Sequence, residues 1–217
     1  MRINRPRIPN VTTHNHATDE QVAAFLHTRL RRALSRCNGG IAVAFPGGST
    51  PGPILELLVQ LPLEWSRIAV FPTDDRDVEE DHEASNTGKL RALLEPHGAL
   101  ITPIAEGFDT PHFALVWLGM GEDGHIASLF PSSDPASDDP QAVRRITPDP
   151  LPPEAPFDRI TLTIPALLEC DEIAFVVRGL KKREVFEGAL SGAHDLPVRR
   201  FLAAREAGFG VPVTCFY

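Results

Sequence analysis

The sequence has 217 residues, 42% hydrophobic and 23% charged, with a formal net charge of −8. That length suits one large α/β domain and is short for two, and the composition is that of a globular protein rather than a disordered or fibrous one. The acidic balance argues against a general nucleic-acid or membrane-surface binder, which needs clustered Lys and Arg, so an anionic ligand must be met by a local basic pocket.

No run of about 18 apolar residues is present to span a bilayer, and the opening MRINRPRIPNVTTHNH lacks the apolar core of a secretory signal. The expected location is the cytoplasm. Cys37, Cys170 and Cys215 lie far apart and in no CxxC pair, which predicts buried thiols rather than a disulfide framework or a zinc cluster. The eight histidines show neither HxxxH nor HExxH spacing, so no metal is expected.

Residues 1–17 are expected to be irregular, with His14 and His16 solvated in a mobile N-terminus. Thr18 and Gln21 then stand at capping-box spacing before Val22, Phe25, Leu26, Leu30, Ala33 and Leu34, the three-and-four pattern of an amphipathic helix. After Asn38, Gly39 and Gly40 comes IAVAF (41–45), an apolar run of strand length, followed by a Gly-rich turn and the helical PILELLVQL.

The alternation continues with RIAVF (67–71), a helix near Ser85, FALVWLG (113–119), a short helix after Gly124, RITLTI (159–164), IAFVVRG (173–179) and a helix from about Lys181. Continuous apolar strands alternating with helices predict a mainly parallel α/β sheet with helices on both faces, in a single domain over 1–217. The segment 131–157, dense in Pro and Asp, is expected to be a long surface loop.

Chemistry concentrates in loops after strands, the end of an open α/β sheet where ligands bind. PGGSTPG (46–52) joins a strand to a helix: Gly47 and Gly48 permit a sharp turn, Ser49 or Thr50 can cap the helix, and Pro51 suits its first position. Free N–H groups and the helix dipole make that loop a candidate phosphate cradle, although a plain strand-to-helix turn uses the same residues. Asp74, Asp75 and Arg76 follow the next strand; Arg76 can take an oxyanion in bidentate fashion, held by either aspartate, or the group is a solvated loop.

In GMGEDGHIASLFP (119–131) the glycines Gly119, Gly121 and Gly124 imply a backbone pressed close to something, and they bring Asp123 and His125 to the sheet's mouth. A histidine is suited to take a proton from water near neutral pH, and a carboxylate beside it fixes its tautomer. No G-x-S-x-G elbow is present to make Ser128 a nucleophile. Lys181 and Lys182 stand at a helix start that prefers negative charge, a conflict that a bound anion would remove.

Together these segments resemble the 6-phosphogluconolactonase family, within the wider group that includes glucosamine-6-phosphate isomerase/deaminase. The resemblance rests on GGSTP (47–51), DDR (74–76) with SN (85–86), GMGEDGHIASLFP, RITLT (159–163) and GLKK (179–182), in family order and spread over about residues 18 to 200. Asp74, Asp75 and Arg76 stand where the isomerases resemble DEY, and GHIASLFP where they resemble GHIAFNEP. The chain departs from the lactonase pattern in reading DDR for DER, in Phe45 and Pro46 before the Gly-Gly pair, and in lacking an aspartate after VPVTCFY.

The resemblance implies a Rossmann-like sheet and hydrolysis of 6-phospho-D-glucono-1,5-lactone to 6-phospho-D-gluconate in the pentose phosphate pathway, without metal or cofactor. It carries His125 over as general base, Asp123 as its carboxylate neighbour, Gly47, Gly48, Ser49 and Thr50 as the phosphate-side loop, and Arg76 and Lys182 as cationic binding positions. The expected partner is a small phosphorylated sugar lactone, bound by a monomer or small homo-oligomer. Two other readings are an aldose–ketose isomerase/deaminase that moves a proton with an aspartate such as Asp74, and a non-catalytic sugar-phosphate sensor.

Overall fold

The computed structural model describes residue 8, residues 10–153 and residues 155–217. In chain order its strands are β1 (Val11–His14), β2 (Ile41–Phe45), β3 (Ile68–Pro72), β4 (Asp74–Arg76), β5 (Leu100–Ile101), β6 (Leu115–Leu118), β7 (Val143–Ile146), β8 (Arg159–Leu162), β9 (Ile173–Val176) and β10 (Val213–Phe216). The α-helices are α1 (Asp19–Arg36), α2 (Pro51–Leu58), α3 (Asn86–Leu94), α4 (Ile164–Leu168), α5 (Leu180–Ser191) and α6 (Pro197–Ala204).

Among the described residues seven strands form a parallel sheet in the order β1-β10-β9-β6-β2-β3-β5. Its central strands β2, β3, β6 and β9 are apolar throughout because both faces are covered. Val43 and Phe45 of β2, Leu115 and Trp117 of β6, and Ala174 and Val176 of β9 face a core shared with Leu26 and Leu30 of α1, Ile54 and Leu58 of α2, and Leu90 of α3. The alternate residues Ala44, Val116, Leu118, Ile173 and Phe175 face the opposite core, with Phe186 of α5 and Phe201 of α6. Period-two alternation thus assigns each strand residue to one of two helical layers.

After β2 the chain builds β3 and β5 on one side, then returns to place β6, β9 and β10 on the other. The reversal falls between β2 and β6, and the crevice beyond the carboxyl ends of strands at such a point is where this architecture binds ligands.

Several expectations change. Residues 11–14 are not irregular: β1 pairs with β10, His14 stacks on Phe216 at 5.0 Å, and Val11 packs against the core. The remainder of 1–17 falls partly outside the described residues. Segment 131–157 is not all loop, because β7 pairs antiparallel with β8, which pairs antiparallel with β4 in a separate three-stranded sheet. RITLTI therefore belongs beside the main sheet rather than in it; its alternation of half-buried Ile160 with buried neighbours leaves one face uncovered, as in antiparallel sheets.

The turn after Gly124 is not helical; the first helical turn beyond it is a short 3-10 helix at Pro131–Ser133. Ile126 and Leu129 form an isolated bridge, Ala127 has φ +48°, and the buried Thr161 hydroxyl accepts from the Ser128 N–H at 3.1 Å. Cys170 and Cys215 are buried, with burial pushing the Cys170 thiol up to about 12, whereas Cys37 is only half-buried. The α1 capping box forms as expected, Thr18 and Gln21 exchanging backbone and side-chain bonds at 2.9 and 3.3 Å. Among the described residues no helix is long and apolar enough to cross a membrane.

Candidate functional site

The carboxyl ends of β9, β6, β2 and β3 open into one cleft of about 240 Å³. Four loops far apart in sequence wall it, and they bring together Gly47, Gly48, Ser49, Thr50, Arg76, His125 and Lys182. Asp123 does not line the cleft; it stands behind His125.

The turn after β6 fixes that pair. Asp123 Oδ1 lies 2.7 Å from His125 Nδ1 and also accepts from the His125 backbone N–H at 3.2 Å. In the neutral imidazole the Asp123 carboxylate places the proton on Nδ1, which leaves the lone pair on Nε2. Burial opposes the charge on Asp123, but the hydrogen bond and charge of His125 outweigh it and hold the carboxyl below its usual range. Phe130 flanks the imidazole at 4.8 Å. The turn needs glycine at 121, where a Cβ would sit 2.3 Å from the imidazole and 2.5 Å from Asp123 Oδ1. A Cβ at Gly119 would meet open space, so close approach does not explain that glycine.

The 46–50 loop turns at Gly48, with φ +97°, and Pro51 opens α2. Neither Ser49 nor Thr50 caps the helix through its side chain, contrary to expectation: Thr50 is already in helical conformation, which turns its hydroxyl away from the capping geometry. Pro51 and Pro53 also remove two helix donors, leaving the 48–50 backbone, Gly52, the two hydroxyls and the helix dipole to meet an anion. Gly47 lies against Asn86, where a Cβ would fall 1.9 Å from Oδ1.

Arg76 is held by neutral oxygens rather than by an aspartate. Its Nη1 donates to Ala84 O at 2.9 Å and Asn86 Oδ1 at 2.8 Å. Asp75 faces the start of α3, accepting from the N–H groups of Asn86 (2.6 Å) and Thr87 (2.8 Å) and of Arg76 itself (2.8 Å), with the Ser85 hydroxyl at 3.3 Å. Asp74 accepts from the hydroxyls of Ser128 (2.5 Å) and Thr73 (3.0 Å). Among the described residues no carboxylate bonds the Arg76 guanidinium. Cross-strand Arg159 adds its own charge, and burial first, then the Arg76 charge, depresses the Arg159 pKa.

The helix start depends on Asp75. Its replacement by Ala strands several buried donors, and we expect a loss of about 2 kcal/mol, measured as a lower urea midpoint with an unchanged slope.

Lys181 pairs with Glu122 at 3.3 Å on the surface, whereas Lys182 lines the cleft with no hydrogen bond or ion pair among the described residues. Arg178, also lining it, is tied to the start of α1 through Ala17 O (2.5 Å) and Asp19 Oδ1 (2.7 Å). Two buried donors of cleft residues, Arg76 Nε and Trp117 Nε1, have no acceptor among the described residues. Among the described residues no three His, Cys, Asp or Glu side chains converge at metal-ligand distance.

The sequence matches the family described as glucosamine-6-phosphate isomerases/6-phosphogluconolactonase over residues 13–106 and 98–208. The chain belongs to this family. Among its relatives, the 6-phosphogluconolactonase of Pseudomonas aeruginosa is 36% identical over 207 residues, covering 84% of this chain and 86% of that protein. That of Pseudomonas putida is 34% identical over an alignment of 229 positions including gaps, covering 93% of this chain and 94% of that protein. The crystal structure of a 6-phosphogluconolactonase from Shewanella baltica OS155 superposes with a TM-score of 0.79 at 26% identity, covering 97% of this chain and 98% of that one.

Within this member of the family, Thr73, Trp117 and Arg178 are cleft residues that sequence reasoning passes over. A cation just beyond an apolar strand was a usable signal for Arg178; Trp117 sits inside a uniformly apolar run, so its position on the cleft floor left no mark in the pattern.

Proposed function

We propose that this chain hydrolyses 6-phospho-D-glucono-1,5-lactone to 6-phospho-D-gluconate in the cytoplasm, with His125 activating the attacking water. The observation that carries the mechanism is the Asp123–His125 contact: a carboxylate on Nδ1 leaves Nε2 as the base at the cleft.

The lactone's phosphate docks on the 47–50 loop, where N–H groups, hydroxyls and the α2 dipole converge. Arg76 reaches it from the β3 side, next to Gly47 through Asn86, and Lys182 from the β9 side. Binding at the phosphate orients the ring so that its carbonyl carbon faces the water on His125. His125 takes one proton as the water oxygen bonds to carbon. Collapse of the tetrahedral intermediate breaks the bond to the ring oxygen, which receives that proton back. The step consumes only water and needs no oxidant or reductant.

The deciding experiment follows acid release from 6-phosphogluconolactone generated in situ, with spontaneous opening subtracted. Acceleration above buffer is the expected result. A rate equal to buffer overturns the proposal: ammonia release from glucosamine 6-phosphate would then indicate an isomerase/deaminase, and saturable phosphate-ester binding without turnover a sensor.

A further inference from the structure

Asp74 contributes the one carboxylate among the described residues that line the cleft. Its position runs against the cleft's electrostatics, since every other charged lining residue, Arg76, Arg178 and Lys182, favours an anion. It forms no ion pair among the described residues. Among the described residues its side chain accepts from two neutral hydroxyls, those of Ser128 and Thr73, both almost fully buried. A carboxylate offers about four acceptor sites, so two hydroxyl donors leave capacity unused at the cleft surface. The Ser128 bond also ties Asp74 to the turn that carries His125, three residues earlier.

We propose that Asp74 is a specificity-determining residue whose carboxylate accepts a hydrogen bond from a secondary hydroxyl of the lactone ring. This rests on reading the cleft as the lactone site. A phosphate and a carbonyl oxygen offer a carboxylate no proton, whereas ring hydroxyls do. Fixing of the carboxylate by Ser128 and Thr73 orients it before substrate arrives, so the hydroxyl pays for no side-chain ordering. A site built this way discriminates against ligands that lack the hydroxyl, because the half-buried charged acceptor is left unmet.

The test compares kcat/KM of wild type and Asp74→Asn on 6-phosphogluconolactone and its 2-, 3- and 4-deoxy analogues, each generated in situ. Asn preserves the size of the side chain, and the Ser128 hydroxyl can accept from its amide. Thermal unfolding of Asp74→Asn, with Asp74→Ala as a second variant, checks the fold. We expect wild type to lose about 10- to 100-fold on one analogue, Asp74→Asn to lose a similar factor on the parent lactone, and Asp74→Asn to lose little more on that analogue.

A loss by both variants that is the same factor on the parent and on every deoxy analogue assigns Asp74 to holding the turn or to the chemistry and overturns the proposal, with the lactonase reading intact. Wild type that discriminates against none of the analogues also overturns it. Wild type that opens none of the lactones overturns the lactonase reading and the proposal together.

Discussion

His125→Ala is expected to lower kcat for lactone opening by about 10²- to 10⁴-fold, with KM little changed, because the variant keeps the phosphate loop and cations but has no group to take the water's proton. Asp123→Asn should approach the same loss by a different route. An amide at this position can donate to Nδ1, which favours the tautomer with its proton on Nε2 and turns the base into a donor at the cleft. The double variant His125→Ala, Asp123→Asn should therefore be no slower than His125→Ala alone, as expected of residues that act as a unit. Steady-state assays of the three variants, corrected for spontaneous hydrolysis, decide the matter. A fully active His125→Ala removes the imidazole from the mechanism, and additive losses separate Asp123 from it.

The dyad was half legible in the sequence. Gly121, Asp123 and His125 following an apolar strand placed both side chains at the sheet's mouth, but two residues of separation allow them to converge or diverge. The structure resolves this through Gly121, whose missing Cβ lets the imidazole lie against the turn. The parallel sheet was legible for a similar reason: continuous apolar runs between turn residues report burial on both faces, which only covered strands tolerate. Edge elements were not, since β1 is half-exposed and β7 sits among prolines and aspartates with a mixed pattern. The small antiparallel sheet was missed because pairing of β4 with β8 joins residues about 85 positions apart, and no local period records that.

The roles of Asp74 and Asp75 were the least legible part of the site. Two adjacent carboxylates beside an arginine read as its partners, but successive residues of a strand point to opposite sides, so Asp74 and Asp75 part ways. Asp75 turns to the α3 N-terminus, where unpaired N–H groups and the helix dipole reward a negative charge. Arg76 is left with carbonyl acceptors alone. The consequence is functional: an arginine already paired with aspartate would bind a phosphate weakly, whereas this one has no carboxylate partner among the described residues.

That difference yields the second large effect. Arg76→Ala is expected to reduce kcat/KM for 6-phosphogluconolactone by about 10²-fold, chiefly through KM, because a charge-assisted contact to phosphate is lost. Unphosphorylated glucono-1,5-lactone should show little change. Asn86→Ala, which removes the Nη1 acceptor and the brace against Gly47, should produce a smaller loss of the same kind, about 10-fold. Arg76→Ala combined with Asn86→Ala should add little to Arg76→Ala, since Asn86 acts on the phosphate through the arginine. Raising the salt concentration should weaken wild-type binding more than that of Arg76→Ala. Equal losses on the phosphorylated and unphosphorylated lactones would move Arg76 from the phosphate to the carbonyl end of the substrate, where its charge serves the tetrahedral oxyanion instead.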